Sequence, residues 1–335
     1  MVKDSDWPTL PKRGMPVTIV TGFLGSGKTT VLNHILSHAN DLKIAVLVNE
    51  FGDINIDSQL LIQGSEDGIV ELSNGCICCT INENLVDAVY RVLERDDRVD
   101  YMVIETTGVA DPLPIILSFL GTELRDLTQV DSILTVVDAE AFTPEHFESE
   151  AALKQIIYGD MILLNKTDLV PQDKLGELEK YIKEVKPVAR ILHTQYGQVA
   201  LPLIIDARLH QIDAWEDEYH DHDHDHHSHH DHDHHKHSHH LENDGFVSVS
   251  FESDRPFDIR KFEAFLSDEL PSEVFRAKGI LWFSESELRH IFQLSGPRYN
   301  INAEEWQTSP KNQIVLIGRK LNADTVCQKL SDCLV

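Results

Sequence analysis

Basic residues are scarce in this chain. Lys and Arg number 29 against 56 Asp and Glu, which leaves a formal charge of −27 with His neutral. Such a surface repels phosphodiester backbones and anionic lipid on average, so neither nucleic acid nor membrane is expected as a partner. Long hydrophobic runs are lacking as well. Ile44–Val48 and Met161–Leu164 are among the longest, far short of the ~20 apolar residues a membrane helix needs. Met1–Arg13 mixes charge, Trp and Pro with no apolar stretch; no secretory signal is expected, and the expected location is cytoplasmic. Cysteine is sparse, five in 335 residues, which excludes a disulfide framework. Three of the five crowd together at Cys76, Cys78 and Cys79. That clustering points to thiol chemistry or metal in a reducing compartment.

What remains is enough for about two domains, each with a core. From Pro16 to Arg208, short β-branched runs alternate with helical patterns. Val17–Thr21, Lys43–Asn49, Tyr101–Glu105, Ser132–Val137 and Asp160–Leu164 read as strands, and Lys28–Ser37, Asn84–Arg95 and Lys174–Val185 as helices. The alternation predicts an α/β domain with a mostly parallel sheet. His220–His240 contains only His, Asp, Ser and one Lys, and nothing in it can build a core. Beyond it, Phe246–Phe251, Ile280–Phe283, Arg289–Leu294 and Gln313–Ile317 read as strands, with helices over Ile259–Leu270 and Ala323–Leu330. The expected organisation is a tail (1–15), a P-loop NTPase parallel-sheet domain (16–208), a His/Asp-rich linker (209–245) and a smaller α+β C-terminal domain (246–335).

The chemistry starts at Gly22-Phe-Leu-Gly25-Ser26-Gly27-Lys28-Thr29, which matches GxxxxGK[ST] between a predicted strand and a predicted helix. Glycines let the backbone amides turn inward on a phosphate, and the helix N-terminus adds its dipole. Lys28 is expected on the β- and γ-phosphate oxygens, the Thr29 hydroxyl on Mg2+, and Thr30 at the α-phosphate. Glu105 closes a strand, where a second Mg2+ anchor belongs, and the Gly108 amide is within reach of a γ-phosphate. Many switch GTPases carry Gln after that glycine; here it is Val109. Positioning of the attacking water then falls to Glu50, Asp53 or a partner. Lys28, Glu50 and Glu105 are the candidate catalytic residues.

Asn165-Lys166-Thr167-Asp168 decides the base. Guanine presents two adjacent donors that the Asp168 carboxylate can accept, whereas adenine turns an acceptor to it. Leaving such a charged bond unmade costs on the order of 1–3 kcal/mol. Asn165 contacts the base edge or ties this loop to the phosphate loop, and the Lys166 stem covers a base face. The pattern favours GTP and disfavours a P-loop kinase.

Cys76 and Cys79 have C-x-x-C spacing, and Cys78 adds a third thiol in what reads as a short turn. Three thiolates there suit Zn2+, which favours tetrahedral sulfur and nitrogen ligation. A redox pair and inert buried thiols are the weaker readings, because three adjacent metal-free thiols oxidise readily.

Taken in order, GFLGSGKTT, VNEFG (Val48–Gly52), GCICC (Gly75–Cys79), ETTG (Glu105–Gly108) and NKTD resemble the CobW-type metal-chaperone GTPases over most of residues 16–208. Residues 246–319, including Lys278-Gly-Ile-Leu-Trp282, resemble that family's C-terminal domain, and a His-rich insertion between the two is common in it. The resemblance implies a GTPase that delivers a transition metal, most often zinc, to client proteins. Cys76, Cys78 and Cys79 match the CxCC metal motif and Glu50 the acid of NEFG. Asp53 stands where some members have an acidic ligand. Some members carry Glu where this chain has Val48, so the thiols rank first as ligands and Glu50 and Asp53 second. Trp7-Pro-Thr-Leu-Pro11 resembles a tail motif by which zinc-delivering relatives dock a client, one apolar residue short; a hydrophobic tail packed on the domain is the other reading.

The linker adds thirteen imidazoles, at His220, His222, His224, His226, His227, His229, His230, His232, His234, His235, His237, His239 and His240, interspersed with Asp. They are expected to capture metal weakly and to be dispensable for GTP hydrolysis. His34, His38, His193 and His290 read as surface or packing residues, and Cys327 and Cys333 as incidental. The combined expectation is a GTP-hydrolysing metallochaperone using GTP, Mg2+ and Zn2+ or Co2+. Its partners would be GTP and GDP, an apo-metalloprotein client and a second copy of itself. The alternatives are a cobalt chaperone for cobalamin synthesis and a metal store or sensor on a vestigial GTPase fold.

Overall fold

The structure is a computed structural model that describes residues 14–39, 42–48, 69–71, 77–80, 85–95, 97–121, 124–143, 146, 149–205, 246–306 and 309–335, with only the backbone of 69–71, 77–80 and 246. Contacts divide the chain after Ile205 into two compact units.

The first unit is built on eight strands: β1 (Met15–Thr21), β2 (Ile44–Val48), β3 (Ile69–Glu71), β4 (Ile77–Thr80), β5 (Tyr101–Glu105), β6 (Thr128–Asp138), β7 (Met161–Asn165) and β8 (Arg190–His193). Their order is β3-β4-β2-β5-β1-β6-β7-β8. Every pairing is parallel except β3 with β4. Runs such as IAVLV, YMVIE and MILLN are buried along their whole length. Continuous apolar runs are what a parallel sheet covered on both faces demands.

Among the described residues, this unit also has helices α1 (Lys28–His38), α2 (Leu85–Leu93), α3 (Leu113–Leu120), α4 (Glu150–Tyr158), α5 (Gln172–Val185) and the single turn α6 (Leu201–Ile204). Ala88, Val89 and Val92 of α2 join Ile115, Ile116 and Phe119 of α3 in one core cluster. Ala152 and Ile156 of α4 join Leu175, Leu178 and Ile182 of α5 in another. Because β1 lies between β5 and β6, the loop leaving its C-terminal end opens at the sheet's crossover, where ligands of open parallel sheets bind.

The second unit is an antiparallel sheet in the order β12-β11-β10-β13-β9. Its strands are β9 (Phe246–Ser253), β10 (Val274–Trp282), β11 (Arg289–Ser295), β12 (Arg298–Glu304) and β13 (Asn312–Arg319). Helices α7 (Ile259–Ala264) and α8 (Ala323–Asp332) are each capped by a side chain. Asp258 accepts the Arg260 and Lys261 amides, and Asn322 accepts that of Thr325. Phe257 and Phe262 centre the core, each in ring contact with Phe283, and Phe262 also with Phe265 and Phe292.

Two expectations need correction. The thiol segment is not simply a turn: Ile77–Thr80 is strand β4, paired to both β2 and β3. Backbone pairing along the free edge of β2 extends the sheet through it. The helix expected over Ile259–Leu270 is α-helical only to Ala264 and continues as a π-helical turn, Phe265–Glu269. Helix α3 was not expected. Seven of its eight residues, LPIILSFL, are apolar, so it carries no helical period to read. No described helix is long and apolar enough to cross a membrane.

Candidate functional site

Residues 22–27 join β1 to α1, with Gly22, Gly25 and Gly27 all at positive φ. At Gly27 the demand is twofold. Its φ is +99°, and a Cβ there would meet Asn165 Nδ2 at 2.4 Å. A side chain would strain the backbone and push the two loops apart. Lys28 opens α1, is buried, and its ammonium reaches the Phe23 carbonyl at 3.3 Å. Thr29 Oγ1 lies 3.3 Å from Glu105 Oε1, which brings together a hydroxyl from the first turn of α1 and a carboxylate from the end of β5. Hard oxygen donors of this kind fit Mg2+. Thr30 is exposed at the loop rim.

The loop after β5 is sewn to β1. Thr106 N donates to Val20 O at 3.0 Å, and Thr106 Oγ1 to Thr21 Oγ1 at 2.9 Å. Two hydroxyl oxygens near these loops, Ser26 Oγ and Thr107 Oγ1, are buried with no hydrogen-bond partner among the described residues. Buried polar atoms without partners are uncommon in folded proteins. A polyphosphate with its cation is the kind of ligand whose oxygens such hydroxyls can meet. Gly108 lies in this loop, packed on Leu24.

On the other side, Asn165 ends β7 and is 2% exposed. Its Nδ2 donates to Ser26 O at 3.0 Å, and its Oδ1 accepts from Thr194 Oγ1 at 3.2 Å and from Gly197 N at 3.0 Å. Of the two readings offered by the sequence, the side chain adopts the tie between loops. Lys166 adopts a φ of +61° and pairs with Asp138 at 2.6 Å. Burial pushes the Asp138 carboxyl up, but the bond from Lys166 and the Ala141 and Glu140 amides outweigh it, so its pKa is lowered. Asp168 is exposed in the turn Thr167–Leu169, free of sheet packing.

Three contributors escaped the sequence reading. Asp138 anchors Lys166, the Thr194–Gly197 loop holds Asn165, and Gln155 of α4 holds the loop after β5. Only Asp138, an acid closing a strand as Glu105 does, left a signal that could have been read. Glu50, Asp53, Cys76, the Trp7–Pro11 segment and the His220–His240 tract lie outside the described residues. Cys78 and Cys79 fall on the backbone of β4, in register with Val46 and Leu47 of β2. Among the described residues, no three His, Cys, Asp or Glu side chains come together as a metal site.

Residues 16–193 match the family model for the CobW/HypB/UreG nucleotide-binding domain, and residues 246–334 match that for the cobalamin synthesis protein cobW C-terminal domain. A Pseudomonas aeruginosa protein named zinc chaperone CobW is 31% identical over 96% of this chain and 92% of its own length. The Escherichia coli zinc chaperone YjiA is 33% identical over 92% of this chain and 96% of its own. A Dictyostelium discoideum protein named zinc-regulated GTPase metalloprotein activator 1 is 32% identical over 86% of this chain and 67% of its own.

Proposed function

The chain belongs to the CobW/HypB/UreG family, and on that premise we propose that it is a GTP-hydrolysing zinc metallochaperone. Zn2+ is held by Cys76, Cys78 and Cys79 while GTP is bound, and passes to an apo-metalloprotein client after hydrolysis. The named relatives, two zinc chaperones and a zinc-regulated GTPase, support this reading.

One observation carries it. Thr80 of β4, Val48 of β2, Glu105 of β5 and Val20 of β1 stand in register across four neighbouring strands. At ~4.8 Å per strand, the thiol strand ends roughly 10 Å from the Glu105 backbone. A change in the loops that read the γ-phosphate therefore reaches the thiols through two strand pairings. Nucleotide state and metal geometry are coupled by that short path, as γ-phosphate ordering is in other switch GTPases.

Lys28 and the inward amides of residues 22–27 bind the β- and γ-phosphates and neutralise charge that grows in the transition state. Water adds to the γ-phosphorus, the bond to the β-bridging oxygen breaks, and GDP and inorganic phosphate leave. Thr29 and Glu105 would hold Mg2+, which would supply positive charge to offset the negative charge on the phosphate oxygens. Asp168 accepts the two guanine donors. Three neighbouring thiols suit the reducing cytoplasm, and the His tract adds weak metal capture.

The test is zinc competition with the GTP-analogue, GDP and nucleotide-free states, run in parallel with Co2+. Coupling of ~1–3 kcal/mol appears as a roughly 5–150-fold change in affinity. Cys78→Ala should abolish the change and leave GTP binding intact, and Asp168→Asn should weaken GTP preference over ATP. Equal zinc affinity in all three states, without GTP turnover, would leave a metal store on a vestigial fold.

A further inference from the structure

Residues 106–112, which follow β5, are gripped from α4 by two adjacent side chains. Gln155 is 1% exposed. Its Nε2 donates to Gly108 O at 3.2 Å and to Ala110 O at 3.1 Å. A carboxamide nitrogen carries two hydrogens, so both are used. Two carbonyl partners also settle which end of the amide faces the loop, because an oxygen there would meet two acceptors. Lys154 Nζ lies 2.8 Å from Asp111 Oδ2 and 2.7 Å from Glu150 Oε1. Asp111 Oδ1 in turn accepts the Leu113 amide at 2.9 Å, where α3 begins.

The grip has a fixed base. The Gln155 carbonyl accepts Thr135 Oγ1 at 2.5 Å, which ties the helix to the middle of β6. On its far side the loop presses on the phosphate loop. A Cβ added to Gly108 would meet Leu24 N at 2.7 Å and Leu24 Cα at 2.9 Å. The segment is thus clamped between α4 and Leu24. Val109, next in the chain, is 54% exposed and has no polar side chain, so what it can offer a phosphate or a water is its backbone. In a trans peptide the carbonyl and the following N–H point in opposite directions. Holding Gly108 O against α4 therefore turns the Val109 N–H away from it.

We propose that Gln155 is a positioning residue for GTP hydrolysis, whose amide fixes the Gly108–Val109 and Ala110–Asp111 peptides at the γ-phosphate end of the site, with Lys154 securing the same loop through Asp111. This rests on the GTPase reading above. Gln155 touches no nucleotide and acts through the loop. Its effect belongs to the hydrolytic step and not to the grip on GDP, which lacks the γ-phosphate.

The experiment measures single-turnover GTP hydrolysis and GDP affinity in the full chain. Gln155→Leu keeps the bulk and removes both donors. It should slow hydrolysis at saturating GTP by about tenfold or more, as small misplacements of catalytic loops do, and leave GDP affinity within about twofold. Lys154→Met should slow hydrolysis by a smaller factor, about threefold, and Lys154→Arg should restore it. Lys154 is partly exposed, so this pair decides the matter if Gln155→Leu fails to fold. A parental rate in Gln155→Leu overturns the positioning role alone. A rate loss matched by an equal loss of GDP affinity also overturns it, because the residue would then be merely structural. A parent chain that hydrolyses no GTP overturns the GTPase reading and this inference together.

Discussion

Asn165 and Ser26 are joined by a 3.0 Å hydrogen bond across 139 residues of sequence. The bond links the loop that would choose the base to the loop that would hold the phosphates. With the Thr194 and Gly197 bonds, the Asn165 side chain makes three contacts from a buried position. Its removal leaves the Ser26 carbonyl and the Gly197 amide without that partner.

Asn165→Ala should therefore lower stability by about 1–3 kcal/mol. It should also weaken GTP and GDP by similar factors, since on the proposed reading both nucleotides span the two loops. Thermal unfolding and a fluorescent-GDP titration measure the two effects. Parental GDP affinity in this variant would show that the tie matters only for folding.

His34 gives the first unit a pH dependence. Its Nε2 lies 2.8 Å from Val199 O and its ring 4.3 Å from that of His38. Burial pulls the imidazole below its usual 6.5; the Val199 bond opposes this, and His38 adds to it. The unfolded chain then binds the proton more tightly than the folded one. Stability is complete above about pH 6.5 and is lost as pH falls from there through the folded value. His34→Gln should flatten that slope. Urea midpoints at several values between about pH 7.5 and 5 measure it, and an unchanged slope counts against His34 as the source.

Cys333 should be inert in the folded protein. Burial pushes its thiol up to about 11, with Glu269 and Asp332 nearby adding to the shift. Its Sγ contacts the Lys329 carbonyl at 3.2 Å and the Lys261 carbonyl at 3.7 Å. Thiolate is the reactive form, so alkylation near pH 8 should modify Cys333 only on unfolding. Site-resolved mass spectrometry reads this out. Fast labelling of native protein would mean that α8 opens locally.

Much of the local structure of the candidate nucleotide site was legible because its chemistry is local. A glycine-rich loop between strand and helix needs only its own residues to turn amides inward, so Gly22–Thr29 could be read directly. The same holds for Tyr101–Glu105, a buried strand closed by an acid, with the observed bounds. Thiol strand β4 was misread because its partners, β2 and β3, lie outside the motif that drew attention to it. Gln155 left no signal at all. A glutamine in a helix is ordinary in sequence, and its role depends on two carbonyls more than forty residues away.

The sequence by itself determined which groups are available: the glycine-rich loop, the acid proposed to select guanine, three clustered thiols and a tract that cannot form a core. It also determined the β-α alternation, since apolar period and β-branched runs are properties of neighbouring residues. Tertiary structure alone decided how those groups relate. Strand order put β1 between β5 and β6, and so brought Thr29 within 3.3 Å of Glu105. Parallel register aligned Thr80 with Val48 and Glu105. Such relations arise when distant segments satisfy each other's backbone and buried polar groups, and no local pattern encodes which partner each will find.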